Sequence, residues 1–128
     1  MTTLRGVLIS EDSQVSIIED PVTSEAGKLG VLYQRLACHS VDRVELTEGV
    51  DLWVDDEGLI ASRPFNHLAT TFALAQGRPT MIFGHALVLG FNDEGETLPL
   101  DIDRTGRVAH TLGVSRQMLT RLAGVTRL

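Results

Sequence analysis

The chain has 128 residues, of which 43% are hydrophobic and 22% are charged, and its formal net charge is −6. These proportions are those of an ordinary globular protein, and the length suits one domain with its own core. No apolar run approaches the ~18 residues of a membrane-spanning helix, and the opening residues lack the features of a secretory signal. A lone cysteine, Cys38, excludes an intramolecular disulfide. We therefore expect a cytoplasmic protein that has no membrane segment.

Charge is distributed unevenly along the sequence. Residues 101–128 contain five arginines and two aspartates, a balance of +3, so residues 1–100 carry −9. The length predicts a single domain, 1–128, and this asymmetry divides it into an acidic body at 1–100 and a basic helical extension at 101–128. An acidic body favours a partner that presents a basic surface.

The first half of the chain predicts strands around one helix. Two runs rich in β-branched residues, 5–10 and 15–20, indicate a hairpin. A helix should follow, with Thr23 or Ser24 as its N-cap and apolar residues at spacings of three and four up to Leu36. Beyond residue 42, alternating polar and apolar residues predict two strands, a turn at 55–58 and a third strand at 59–62.

The second half predicts a helix, an apolar strand and a helical end. Asn66 should cap a helix that Gly77 closes, and residues 80–92 should form one long strand or two strands bent at Gly84. From Asp103 onward the pattern is helical. The elements run ββαβββαβαα, an α+β fold with a small mixed β-sheet, two packed helices and a C-terminal helical pair. The expected core comprises Leu46, Leu52, Val54, Phe72, Ile82, Leu87 and Leu89.

Three motifs follow one another in a fixed order between residues 44 and 100. They are an acidic turn, a helix start with the pattern N-x-x-A-T, and an apolar strand with two glycines that precedes the acidic segment 93–97. Their defining positions are Asp56, Glu57, Gly58, Asn66, Ala69, Thr70, Gly84 and Gly90. In this order the motifs resemble the family called domain of unknown function 3846, over about residues 4–100. The resemblance implies a small protein of a bacteriophage, especially one of actinobacteria, or of a conjugative element, with no established catalytic activity.

We interpret the motif positions as structural. Asn66 can cap its helix, the three glycines suit turns or bulges, and Ala69 permits close contact between helix and sheet. The alternative is a binding role, because the start of the helix at 66–76 could present free N–H groups to an anion.

The sequence carries no recognisable catalytic or metal-binding signature. The four histidines, His39, His67, His85 and His110, lie in different predicted elements and form no metal-ligand spacing. No nucleophile elbow, phosphate loop or dinucleotide fingerprint is present, and the acidic turns lack calcium-loop spacing. We therefore predict a protein that is not an enzyme and uses no cofactor or metal.

Residues 108–122 have the spacing of a helix-turn-helix. Ala109 and Gly113 would meet at the corner, and the second helix would carry apolar Val114, Leu119 and Leu122. The DNA-contacting residues would be Arg107, Ser115, Arg116, Gln117 and Arg121. Two helices that simply pack on the sheet would produce the same pattern, and the acidic body would repel phosphate. The sequence is compatible with both readings.

The leading functional hypothesis is a non-enzymatic phage or mobile-element accessory protein that binds a host or phage macromolecule in the bacterial cytoplasm. A host or phage protein is the expected partner, and host takeover or anti-defence is the expected role. The alternative is a DNA-binding regulator that uses residues 107–122. Self-association into a homo-oligomer is compatible with either hypothesis.

Overall fold

The computed structural model describes residues 2–46 and 49–126. Within these ranges the chain forms six strands and three helices. The strands are β1 (Thr2–Ile9), β2 (Val15–Val22), β3 (Val41–Glu45), β4 (Val50–Asp55), β5 (Ala86–Phe91) and β6 (Thr97–Leu98). The helices are α1 (Glu25–Leu36), α2 (His67–Ala75) and α3 (Ile102–Thr126). The predicted α+β class is confirmed.

The strands form one sheet in the order β2-β1-β5-β4-β3, and β6 pairs with β5 beside this path. Every pairing among the described strands is antiparallel, so the expectation of a mixed sheet was wrong. The predicted opening hairpin is confirmed. Its turn carries hydrogen bonds from Ser13 N to Ser10 O and from Ser10 N to Gln14 O, both at 2.8 Å, with Ser13 at φ 67°. This is the three-residue hairpin turn with a bulge.

The helices cover both faces of the sheet. Because side chains alternate across a strand, each central strand supplies a residue to one face and the next residue to the other. The core on the face of α2 and α3 includes Val7, Leu52, Phe72, Val88, Val108 and Leu112. The core on the face of α1 includes Leu4, Leu32, Leu36, Leu87 and Leu89. The predicted core residues are buried, except that Val54 is half-buried.

Side-chain caps begin the first two helices, as predicted. The Ser24 hydroxyl accepts a hydrogen bond from Gly27 N at 3.0 Å, and the Asn66 side-chain oxygen accepts one from Ala69 N at 3.0 Å. Gly77, with φ 79°, follows the end of α2. Each cap satisfies an N–H group that the helix itself leaves without a partner.

The predicted strand at 59–62 was wrong, because these residues form a turn. Ala61 N donates to Glu57 O at 2.8 Å, and Arg63 N donates to Gly58 O at 2.9 Å. These local hydrogen bonds close the segment on itself, so its backbone groups do not join the sheet. The sixth strand of the sheet is instead β6, a two-residue strand that begins at the end of the acidic segment 93–97.

The predicted C-terminal helical pair was also wrong, because α3 is one continuous helix of 25 residues. Residues at spacings of four, three and four lie on one covered face of α3: Val108, Leu112 and Ser115 are buried and Leu119 is half-buried. One uninterrupted helix therefore packs all of them. Gly113 lies inside this helix and costs only ~1 kcal/mol relative to alanine there, less than the burial of two aliphatic side chains contributes. No helix of the described residues is both long and apolar enough to cross a membrane.

Candidate binding surfaces

Asn66 joins three parts of the fold from a fully buried position. Its backbone N–H donates to Ile82 O at 2.7 Å, and its side-chain nitrogen donates to Ile9 O at 3.0 Å and to Gly84 O at 2.9 Å. Together with the cap to Ala69 N, these bonds satisfy the side-chain oxygen and both side-chain hydrogens. Asn66 therefore fixes the start of α2 against the end of β1 and the approach to β5.

The neighbouring motif positions make contacts of the same kind. The Thr70 hydroxyl accepts a hydrogen bond from Ile82 N at 3.0 Å, and Ala69 is fully buried on the inner face of α2. Gly58 allows a close backbone approach, because a Cβ there would stand 2.5 Å from Phe83 O. Gly84 has φ 88°, a backbone conformation that favours glycine, and a Cβ at Gly90 would come within 3.3 Å of Pro99 O.

The acidic turn of the motif differs from the rest because it lies at the surface. Asp56 and Glu57 are exposed, and Asp56 accepts a hydrogen bond from the Ser40 hydroxyl at 3.2 Å. Behind them, Asp55 is largely buried and lies 3.7 Å from the Arg63 guanidinium. The turn thus brings carboxylates to the end of β4, where the chain leaves the sheet.

A groove of about 250 Å³ opens beside this turn, and we call it the acidic groove. Three carboxylates line it, Asp42, Asp55 and Asp56, and half-buried Val44 and Val54 lie among its lining residues. Two long apolar side chains also line the groove while facing solvent. They are Leu59, which is 67% exposed, and Met81, which is 68% exposed.

Exposed aliphatic side chains beside carboxylates distinguish this region from an ordinary solvated turn. The adjoining residue, Ile60, is 85% exposed. Sequence reasoning missed the surface because it assigned residues 59–62 to a strand and interpreted the acidic turn as structural. The signal was the run Leu59-Ile60 directly after a turn, where both side chains cannot enter the core.

The residues of the DNA-binding reading do not form a helix-turn-helix surface. Ser115, one of the expected DNA contacts, is fully buried in α3, and its hydroxyl donates to Thr111 O at 2.8 Å. Arg116 donates to Ser13 O in the β1–β2 turn at 2.7 Å. The remaining three positions, Arg107, Gln117 and Arg121, are exposed on the continuous helix, as are Ala109 and Gly113 of the expected corner.

The histidines and the cysteine remain dispersed in the fold. His39 follows α1, His67 begins α2, His85 precedes β5 and His110 lies in α3. Across residues 2–46 and 49–126, no group of three or more potential ligands is close enough to hold a metal ion. Burial raises the pKa of the Cys38 thiol, which disfavours the reactive thiolate.

Asp51 on β4 is a buried carboxylate that sequence reasoning also missed. Its side chain is fully buried, and among the described residues neither oxygen has a hydrogen-bond partner, although Arg43 lies 3.5 Å away. Burial raises the pKa of Asp51 to about 6, against the opposing effect of Arg43. Alternation along β4 places Asp51 and Trp53 on one face of the sheet and Leu52 on the other. It does not indicate how deeply Asp51 is buried.

A solved structure has a similar fold, and a family of proteins matches the sequence. The fold is similar to part of a solved structure, the crystal structure of the small RNA methyltransferase HEN1, with a TM-score of 0.59, 15% identity and 84% of this chain covered. The chain spans 16% of the length of that methyltransferase, so the likeness concerns the fold alone. Among curated proteins, none matches the sequence. The family described as domain of unknown function (DUF3846) matches residues 4–112. The chain therefore belongs to this family, whose match extends into the first half of α3.

Proposed function

We propose that the protein is a non-enzymatic accessory factor of a phage or mobile element that acts by binding a protein of its host or of its own element. One observation carries the proposal: exposed Leu59 and Met81 line a groove together with the carboxylates of Asp42, Asp55 and Asp56. Exposed apolar side chains rimmed by charge are typical of protein interaction sites. The non-enzymatic part of the proposal rests on the absence of catalytic signatures in the sequence.

The composition of the acidic groove defines the chemistry of the partner. Aliphatic side chains from the partner would remove Leu59 and Met81 from water, and each fully buried side chain of this size contributes roughly 1.5–3 kcal/mol. A lysine or arginine of the partner would face the carboxylates. Charge complementarity of this kind favours encounter and orientation more than it raises affinity. The expected partner segment is therefore both basic and aliphatic.

Affinity capture with two matched variants tests the proposal. The double change Leu59→Ser and Met81→Ser should abolish retention of a partner from a bacterial host lysate, with nuclease treatment making no difference. Leu74→Ser is the control, because Leu74 is also exposed, at 58%, but lies on α2 outside the acidic groove. Equal retention by all three proteins would contradict the proposal.

A second candidate function is nucleic-acid binding by the outer face of α3. The observation in its favour is charge: after Asp103 the sequence has no acidic residue, and Arg107, Gln117 and Arg121 are exposed. Without a corner in α3, this binding would be electrostatic and would fall steeply with salt. A duplex shift assay on the wild type and on the double variant Arg107→Glu, Arg121→Glu tests it. Identical shifts for both proteins would exclude this face.

A further inference from the structure

Among the described strands, the path β2-β1-β5-β4-β3 ends in two edge strands, β2 and β3, and they differ in how open they are. β2 is interrupted by Pro21, which lies opposite Thr3 in the register. Proline has no N–H group, so another strand cannot pair fully with that edge, and proline is a common means of protecting a sheet edge. β3 contains no proline along Val41–Glu45 and pairs only with β4 among the described strands.

The hydrogen-bond phase of β3 shows which backbone groups face outward. Leu46 N donates to Val50 O at 2.9 Å, and Asp56 N donates to Ser40 O at 3.0 Å. Because bonding to one neighbour alternates along an antiparallel strand, the even-numbered residues of β3 bond to β4 and the odd-numbered ones face away. The outward groups therefore belong to Val41, Arg43 and Glu45. The Arg43 N–H donates to the side chain of the preceding residue, Asp42, at 2.8 Å.

The acidic groove continues along this open edge. A second depression, of about 430 Å³, lies between β3 and residues 77–80. It shares Asp42, Val44 and Thr80 with the acidic groove. We call the two together the edge trough. The charge of its lining differs along its length, since Asp55 and Asp56 line only the acidic groove and Arg78 lines only the second depression.

We infer that β3 accepts an extended segment of the partner protein as an additional antiparallel or parallel strand, with its side chains in the edge trough. The inference rests on the proposed function and specifies its binding mode. Strand addition gains affinity from main-chain hydrogen bonds and specificity from pockets for alternate side chains. Here the pockets select a basic side chain beside Asp55 and Asp56, aliphatic side chains over Val44, and an acidic side chain beside Arg78.

A partner segment fits this edge better than a second copy of the chain does. Each copy carries a net charge of −6, so two copies repel one another at long range. A basic residue in the partner segment instead meets the carboxylates of the acidic groove. We therefore do not expect β3 to pair with β3 of a second copy, and the experiment below distinguishes that outcome from binding of a partner segment.

Amide hydrogen exchange on the full chain tests strand addition directly. The probe is a synthetic nine-residue peptide of alternating valine and threonine, with lysine at one end and glutamate at the other, added at millimolar concentration. The outward N–H group of Glu45 should become protected by about tenfold or more, because it gains a strand partner. That of Arg43 should exchange its bond to the Asp42 side chain for a bond to the peptide and also become more protected. The N–H of Val44, which already bonds to β4, should change little, as should Ile17 on the β2 edge.

Two proline variants provide the matched controls. Glu45→Pro removes an outward N–H from β3 and keeps the ion pair of Arg43 with Asp51. It should weaken peptide binding by about tenfold or more, since a main-chain hydrogen bond to the peptide is lost. Ile17→Pro makes the same change on β2, at an outward position like that of Pro21, and should leave binding unchanged. Asp56→Lys, an exposed change that leaves the backbone intact, should also weaken binding.

The outcomes separate the inference from the proposed function. Absence of protection, or protection without alternation between odd and even residues, would overturn strand addition. Alternating protection in a peptide-free dimer would overturn it in favour of a second copy. If Glu45→Pro still retains the captured partner while Leu59→Ser with Met81→Ser loses it, the proposed function holds and only the binding mode fails.

Discussion

Asn66 has more partners than a helix cap requires. The cap alone predicts a cost of about 1 kcal/mol on change to alanine. The structure adds donation to Ile9 O and Gly84 O, two buried carbonyls that alanine would leave without this partner. We expect Asn66→Ala to lower the free energy of unfolding by about 2–4 kcal/mol, measured by chemical denaturation.

Ser24→Ala is the control for Asn66→Ala, because Ser24 caps α1 from an exposed position. This variant loses only a cap and should cost about 1 kcal/mol. The difference between the two variants then measures the bonds to Ile9 and Gly84. Equal costs would mean that the two carbonyl contacts contribute nothing to stability.

The buried carboxylate of Asp51 should make stability depend on pH. Its pKa is raised from 3.8 to about 6 in the folded protein, so folding favours the protonated form. The contribution of Asp51 to the free energy of unfolding is greatest below its ordinary pKa of 3.8. This contribution is lost as the pH rises through the folded-state pKa of about 6, which lowers stability by up to about 3 kcal/mol. Asp51→Asn keeps the site neutral. Denaturation of both proteins across this pH window should give a difference in unfolding free energy that grows with pH, and a constant difference would contradict the assignment.

At the scale of elements, Gly113 distinguishes a continuous helix from a corner. Gly113 is exposed inside α3, and nothing lies within 4 Å of a Cβ built there. Gly113→Ala should therefore raise stability by about 0.5–1 kcal/mol, through better helix propensity. Gly77→Ala, at φ 79°, should lower stability because alanine disfavours that backbone conformation. A loss of stability on Gly113→Ala in thermal melts would contradict the continuous helix.

The elements that the sequence predicted correctly are those in which local chemistry and packing agree. Ser24 and Asn66 are good capping residues directly before amphipathic segments, and both begin helices. Leu59 and Ile60 have strand propensity, yet backbone bonds within 57–63 close a turn. In α3, the local signal at Gly113 was outweighed by aliphatic residues that need one continuous face.

The acidic groove could not be predicted from the sequence for a related reason. Its lining comes from β3, from β4 and the turn after it, and from residues 80–83, which lie apart along the chain and meet only in the folded structure. The carboxylates could be recognised in the sequence, whereas their proximity to Met81 depends on tertiary packing. The same holds for Asp51, whose burial depends on its neighbours across the sheet.

At the scale of the whole molecule, the packing of α3 indicates whether residues 101–128 are an addition to the domain or part of its core. Val108 and Leu112 are buried in the same core as Val7, Leu52 and Phe72, and the family match ends at residue 112. Both observations indicate that the first half of α3 belongs to the body. The single domain at 1–128 stays a prediction, which truncation can test.

A chain that ends at residue 100 should fail to unfold cooperatively, because its core would be exposed where α3 packs. Leu112→Ala is the milder companion and should cost about 2–5 kcal/mol, as other buried leucines do. Met118→Ala is its control on the same helix, since Met118 is 44% exposed, and should cost far less. Circular dichroism during urea unfolding distinguishes the outcomes. A cooperative transition in the truncated chain, with the midpoint of the full chain, would mean that residues 1–100 fold alone and that α3 only covers a finished core.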